Sequence, residues 1–385
     1  MRDTFLAFSP PLLGEEEIAE VIDTLRSDWI TTGPRARRFQ QQFATYLGAP
    51  AALAVSSATA AMQVGLATLG IGPGDEVITT TMTFCSTIHV IEHVGARPVL
   101  VDVCPDTLNL DPEQVARVIT PRTRCIMPVH LYGHPCDMDP ILALAQQHGL
   151  YVLEDAAHAL PAAYKGRMVG TLGTLTAFSF YATKNLTTAE GGMLTGAPEL
   201  IEQARIWSLH GMSHDAYKRY EAEGSWFYEV VRAGFKCNMP DVLAAIGLAQ
   251  LRRLPEMQAR RQVIVTRYNQ ALAELPQLQL PTALLSVEHA WQLYAVRLNL
   301  DRLTIDRARF IAELKARNIG ASVHFIPNHI QPYYRDKYSY KPEDFPIAYR
   351  EYQRLVSLPL SPALTDDDVE DVIAAVTDIA QRFGR

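Results

Sequence analysis

The chain has 385 residues, 48% of them hydrophobic and 20% charged, with a formal net charge of -7. That length exceeds one ordinary core and favours a large domain plus a smaller one, and the composition is neither disordered nor fibrous. The acidic balance gives no general attraction for nucleic acid or anionic lipid, so an anionic ligand has to be met by a local site.

The opening stretch, MRDTFLAFSPPLLGEEE, carries a proline pair and acidic residues where a secretory signal needs an unbroken apolar run, and no apolar run reaches membrane-spanning length. A cytoplasmic protein is expected, with no membrane insertion and no nucleic-acid partner. From about 51 to 196, short β-rich runs alternate with helical patterns: ALAVSS then TAAMQVGLATLG, EVITT then STIHVIEHV, PVLVDV then EQVARVI, CIMPVHLY then ILALAQQHG, and YVLEDAA. Such alternation predicts right-handed crossovers and a mainly parallel sheet, and the continuous apolar strands suit a sheet covered on both faces. The next two runs, TLTAFSF and GGMLTG, are too close to hold a helix between them and are expected to pair antiparallel.

A helix-rich stretch follows from about 241 to 275, with a break expected around Pro255. The domain change is placed there, giving a large domain at 1–255 and a small α+β domain at 256–385 built from YAVRLNL, RARFIAELKARNI, ASVHFI and DDDVEDVIAAVTDIAQRF. Thr365 and Asp368 form a capping-box pattern before the last helix. The five cysteines, Cys85, Cys104, Cys125, Cys136 and Cys237, are widely spaced with no Cys-x-x-Cys pair, which suits reduced thiols rather than disulfides or a metal site.

In an open α/β sheet, ligands gather where strands end, so polar residues at those ends carry the functional information. In VSSATAAM, Ser56, Ser57 and Thr59 stand between a strand and a helix start, a ready phosphate seat; taken alone they are also an ordinary N-cap. In LEDAAHA, Asp155 ends an apolar strand, where a carboxylate needs a cationic partner; a capping or salt-bridged aspartate reads the same way. His158 alone is an ordinary hydrogen bonder. In SFYATKNLTTAEGG, Ser179 and Lys184 flank Phe180 and Tyr181; a lysine just after a buried strand can be desolvated, which frees its amine to attack a carbonyl. Phe84 closes another strand, either as core or as a face for a flat ring. A phosphate seat, an acid, an aromatic face and a candidate Schiff-base lysine together match the needs of pyridoxal 5'-phosphate.

With these motifs in place the chain resembles the DegT-type nucleotide-sugar aminotransferases, of the aspartate aminotransferase-like fold type I. The likeness runs from about Pro10 to Ile379 and includes DWITTGP, GPGDEVI, DVCPDTLNL, ITPRTRCIMPVHLYG, EDAAHA, FSFYATKNLTTAEGG, NMPDVLAAIGLAQL, ASVHFIPNH and LPLSPALTDDDV. The resemblance implies a mainly parallel seven-stranded sheet in a pyridoxal phosphate-binding large domain, and a substrate loop at about 28–34. It implies that Lys184 carries the cofactor covalently, that Asp155 pairs with its ring nitrogen, that His158 lies beside its phenolic oxygen, and that Phe84 stacks on the ring. Ala58, Thr59 and Ser179 would hold the phosphate. Asn238 would reach the phosphate from a neighbouring subunit, implying a homodimer with shared sites. Thr31, Thr32 and His324 resemble substrate-side positions.

The implied reaction moves the amino group of L-glutamate to the 4-keto position of a UDP-linked sugar, the product serving glycan or lipopolysaccharide synthesis. Ala58 and GFKCNMPD resemble the branch acting on UDP-4-keto-arabinose, whereas HFIPNHIQPYY resembles relatives acting on UDP-linked 4-keto-6-deoxyhexosamines. Alternatives on the same fold are an aminotransferase for a keto-cyclitol or other non-nucleotide ketone, and a non-catalytic pyridoxal phosphate-binding regulator. A dehydratase of this family would carry histidine in place of Lys184.

Overall fold

The computed structural model describes residues 2–213 and 227–385. Its N-terminal part contains α1 (Glu15–Arg26), α2 (Pro34–Leu47), β1 (Ala51–Val55), α3 (Ala58–Thr68), β2 (Glu76–Thr80), α4 (Ser86–His93), β3 (Arg97–Val101), α5 (Pro112–Val118), β4 (Thr123–Met127), α6 (Met138–His148) and β5 (Tyr151–Asp155). Two short strands follow, β6 (Ala163–Tyr164) and β7 (Arg167–Met168), then β8 (Leu175–Ser179), β9 (Gly192–Gly196) and α7 (Pro198–Ser208). The strands order as β1-β9-β8-β5-β4-β2-β3 in a seven-stranded sheet. Within it β9 pairs antiparallel with β8, as expected from the closeness of their two runs, and also antiparallel with β1, and the remaining pairings are parallel.

The apolar runs behave as strands buried on both faces. Ala52, Ile78, Ile126 and Val152 join one core cluster with Phe39, Phe43 and Leu248. Their neighbours Leu53, Val77, Cys125 and Leu153 join another with Val64 and Val90 from the opposite layer. Successive side chains leave a strand on opposite sides, so continuous hydrophobicity is what two helical layers demand.

The C-terminal part contains α8 (Asp241–Leu272), β10 (Leu278–Gln279), β11 (Val287–Glu288), β12 (Tyr294–Leu298), α9 (Arg307–Ala316), α10 (Pro332–Tyr338), α11 (Pro346–Tyr352), β13 (Leu355–Leu358) and α12 (Asp366–Arg382). Strands β10, β12 and β13 form a second sheet, while β11 pairs with β6. One expectation is corrected. Helix α8 runs through Pro255 without a break. Proline removes one backbone hydrogen bond, but Leu254 and Met257 beside it are buried in the core, and that packing outweighs the loss. ASVHFI forms only one bridge, Ser322 to Ser357, and then leaves the sheet. The capping box of Thr365 and Asp368 at α12 is present.

The start of α2 is tied to the start of α8 by Asp241, which is 1% exposed. Its Oδ1 accepts from the Gly33 and Ala36 amides at 2.8 and 2.9 Å, and its Oδ2 from the Arg35 amide at 2.9 Å. One carboxylate thus satisfies three of the donors a helix N-terminus leaves open, and holds the 28–34 loop in place. Asp241→Ala is expected to lower stability by about 3 kcal/mol, read from the urea unfolding midpoint, with Asp241→Asn recovering part of the loss.

Candidate active site

Because β9 runs against its neighbours, its first residue lies at the same sheet edge as the last residues of β1 and β8: Gly192 faces Val55 on one side and Ser179 on the other. A cavity of about 450 Å³ opens on this edge. Ser57, Ala58, Thr59 and Ser179 line one part of it, Phe84, Asp155, His158 and Lys184 another, and His324 with Phe325 closes it from the C-terminal part.

Ser57 caps α3, its Oγ accepting from the Ala60 amide at 3.0 Å. The amides of the first turn behind that cap have no intrahelical acceptor, so Ala58 and Thr59 offer donors to an anion. A Cβ on Gly192 would lie 2.4–2.7 Å from the Ser57 carbonyl and the Ala58 nitrogen, so only glycine lets β9 close against this turn.

Asp155 is 4% exposed. Its Oδ2 accepts from the Thr87 hydroxyl at 2.7 Å, Thr87 is bonded in turn to the Thr83 hydroxyl at 2.8 Å, and Oδ1 accepts from the Ala157 amide at 3.1 Å. Burial raises its pKa above the ordinary carboxylate value, against the pull of Thr87, Ala157 and the charge of Lys184. Glu154, its neighbour in EDAAHA, does a different job. It is fully buried and bonded to His130 Nε2 at 2.8 Å, the Gly173 amide at 2.7 Å and the Thr176 hydroxyl at 2.7 Å, bracing the strand from behind.

The turn that carries Lys184 is folded back on the strand before it. The Phe180 carbonyl accepts from the Thr188 amide at 2.9 Å, and the Phe180 amide donates to the Gly191 carbonyl at 2.8 Å. Phe180 itself lies between Phe39 and Phe43, both at 5.4 Å between ring centroids. Gln292 then grips both neighbours of the lysine, accepting from the Asn185 amide at 3.0 Å and donating to the Thr183 carbonyl at 2.7 Å. Burial lowers the Lys184 pKa to about 8, with Asp155 opposing the shift.

His158 Nδ1 accepts from the Tyr132 amide at 3.2 Å, and its ring stacks on Phe325 at 5.8 Å. Burial and the charge of Lys184 push its pKa well below the ordinary value. The neutral ring therefore carries its proton on Nε2. His324 Nδ1 is bonded to the Ser357 hydroxyl at 2.9 Å, and burial lowers its pKa to about 4. Phe84 is 57% exposed and sits 5.8 Å from Phe325.

Three expected residues lie outside this cavity. Thr32 borders a separate groove beside α2, Asn238 Nδ2 donates to the Thr32 hydroxyl at 2.5 Å, and Thr31 accepts from the Asp241 amide through its carbonyl at 3.1 Å. Sequence reading missed Thr87, Tyr132, Gln292 and Phe325. Threonines and glutamine give no pattern of their own, although VHLYG had already stood out as a motif.

The sequence profile of the DegT/DnrJ/EryC1/StrS aminotransferase family matches residues 11–377. The spore coat polysaccharide biosynthesis protein SpsC of Bacillus subtilis is 52% identical over 382 residues, covering 99% of this chain and 98% of its own. Among solved structures, Spr1654 of Streptococcus pneumoniae, assigned as a sugar aminotransferase and captured in its PMP form, superposes with a TM-score of 0.93 at 36% identity, over 98% and 99% of the two chains. Helicobacter pylori PseC, an aminotransferase of pseudoaminic acid biosynthesis, superposes with a TM-score of 0.91 at 26% identity, over 99% and 100%.

The residues present fit pyridoxal phosphate: open helix amides and hydroxyls suit its phosphate, the buried acid a protonated ring nitrogen, and the desolvated amine its aldehyde. Addition of pyridoxal phosphate to apoprotein should produce a visible absorbance band whose rate of appearance rises with pH and levels off above about 8. The neutral amine is the nucleophile, so a lowered pKa moves the rise to lower pH. Lys184→Ala should give no band.

Proposed function

The chain belongs to the DegT/DnrJ/EryC1/StrS aminotransferase family of pyridoxal phosphate-dependent sugar aminotransferases, and on that premise we propose that it moves the amino group of L-glutamate to the 4-keto position of a UDP-linked sugar. The 4-amino sugar formed serves glycan or lipopolysaccharide synthesis; the similarity to a polysaccharide biosynthesis protein supports that destination. The observation that carries the reading is the meeting of Lys184 and Asp155 in one cavity, the amine lowered to about 8 and the acid buried at a strand end.

Pyridoxal phosphate supplies, when bound, an electron sink for the charge left as a C–H bond beside nitrogen is broken. The residues of the chain do the rest. Asp155 accepts a hydrogen bond from the protonated ring nitrogen and keeps it charged; Thr87 and Ala157 hold the carboxylate for that task. The Nε2–H of His158 would be the donor available to the phenolic oxygen. Ala58, Thr59 and Ser179 would hold the phosphate, and Phe84 would offer a face to the ring. Lys184 Nζ would take the proton from the α-carbon of glutamate, whose skeleton leaves as 2-oxoglutarate, and, in the return half, would deliver a proton to the sugar carbon that receives the amine while the carbonyl oxygen leaves as water. His324 borders the sugar.

The enzyme works in the cytoplasm as a homodimer with shared sites. Asn238 and Thr32 are bonded to each other outside the cavity of their own chain, which suits a pair delivered together to a neighbour. If so, mixing Lys184→Ala subunits with Asn238→Asp subunits recovers activity that neither variant has alone.

A panel of UDP- and dTDP-linked 4-keto pentoses and 6-deoxyhexoses, incubated with the enzyme and L-glutamate, tests the substrate. A UDP-linked keto sugar should lose its carbonyl oxygen and gain an amine by mass. Amination of free keto-cyclitols with no nucleotide sugar consumed would overturn the reading. Asp155→Asn should retain the fold and lose about a hundredfold or more in turnover, since the ring nitrogen loses its fixed counter-charge.

A further inference from the structure

The VHLYG motif has no part in the chemistry described so far, yet its turn touches the cavity wall from behind on several sides. Tyr132 is the centre of these contacts. It is buried, does not line the cavity, and holds an unusual backbone for a non-glycine residue, with φ 61° and ψ 1°. Its amide donates to His158 Nδ1 at 3.2 Å. Its carbonyl accepts from the Gln292 amide at 3.0 Å and the Leu293 amide at 3.3 Å. Its hydroxyl donates to the His324 carbonyl. His158, Gln292, Leu293 and His324 all line the cavity.

The next residue reinforces this placement. Gly133 lies at φ 96°, and a Cβ there would come within 2.8 Å of the His158 carbonyl and 2.9 Å of the Ala290 Cβ. The turn is therefore wedged between the segment carrying His158 and the one carrying Gln292. Each polar group of Tyr132 serves a different segment of the cavity lining. The amide leaves His158 only Nε2 for its proton, the carbonyl sets the strand entry that carries the Lys184 clamp, and the hydroxyl sets the backbone of His324.

We propose that Tyr132 is a positioning residue, fixing the ring of His158 and the wall formed by Gln292, Leu293 and His324 relative to Lys184. It touches neither cofactor nor sugar. The left-handed backbone at Tyr132 aims the amide at one wall while the side chain reaches the other, so one residue sets the spacing between the cofactor side and the substrate side.

Two measurements test this. In apoprotein labelled with 15N-histidine, the His158 signals at neutral pH should show a bare Nδ1 and a protonated Nε2; a proton on Nδ1 would overturn the proposal. This first reading needs no substrate. In the holoenzyme, Tyr132→Phe removes only the hydroxyl, so cofactor uptake and the glutamate half-reaction should stay within about twofold of the parent, while KM for the keto sugar rises about fivefold, the worth of one neutral hydrogen bond. His324 signals should shift in the same variant and His158 signals should not. Ser357→Ala, which unties His324 from its other side, should reproduce the KM effect and stands in if Tyr132→Phe does not fold. Equal losses in both half-reactions, or an unchanged KM in both variants, would overturn the role. The KM reading rests on the proposed function: if no keto sugar turns over while the His158 tautomer is as stated, the substrate assignment fails and the positioning by the Tyr132 amide stands.

Discussion

A carboxylate at the end of a strand buried on both faces is costly unless donors and a cation meet it, and the pocket is organised around that cost at Asp155. Two donors meet it from the protein: the hydroxyl of Thr87, backed by Thr83, and the amide of Ala157. They do not cancel the burial, since the pKa of Asp155 stays raised, and Lys184, opposite in charge, is itself lowered to about 8 by the same dry surroundings. Both groups are thus pressed toward neutrality. A ligand that offers Asp155 a protonated nitrogen and Lys184 an aldehyde relieves both at once, so the desolvation that burdens the apoprotein is recovered as affinity and as reactivity.

The direction of β9 is the second constraint. A parallel strand at that place would put its far end at this edge; running antiparallel, it brings Gly192 there instead, against Ser57 and beside Ser179. The connection from β8 to β9 then has to begin and end at the active edge, and Lys184 lies within it. A loop lysine would ordinarily wander, with a long side chain to order. Here the aromatic cluster of Phe39, Phe43 and Phe180 anchors the loop at its root, and Gln292 fastens it on both sides of the lysine. Precision at Lys184 thus comes from a side chain more than a hundred residues away.

What could be read from the sequence follows the same physics. Strands of the large sheet announce themselves by apolar runs, and their polar ends, Ser57, Asp155 and Ser179, are the residues found at the cavity. Lys184 and Phe84 follow from lying one turn beyond such ends. Glu154, adjacent to Asp155 and of the same chemistry, turns out to be a brace bonded to His130; alternation along a strand separates the two only once the layers are known. Thr87, Tyr132 and Gln292 act through a few individual hydrogen bonds, which leave no periodic trace. ASVHFI has the look of a strand and spends only Ser322 on pairing, because the segment turns away to deliver His324 and Phe325 to the cavity. Helix α8 continues through Pro255 because a local breaker is weaker than the burial of Leu254 and Met257 around it.

The two halves of the cavity are therefore built by different means. The half that carries Ser57, Asp155 and Ser179 stands at strand ends of one sheet, whose spacing is set by the hydrogen-bond ladder. The other half, His324 and Phe325 with Gln292 and Leu293, consists of segments that leave the C-terminal part and are aligned on the first half through side-chain and turn contacts. Changes in that second wall act on the surroundings of Lys184 through Gln292, which holds the residues on both sides of it. Such a division separates a part fixed by a hydrogen-bond ladder from a part set by individual contacts, and only the first leaves a periodic trace in the sequence.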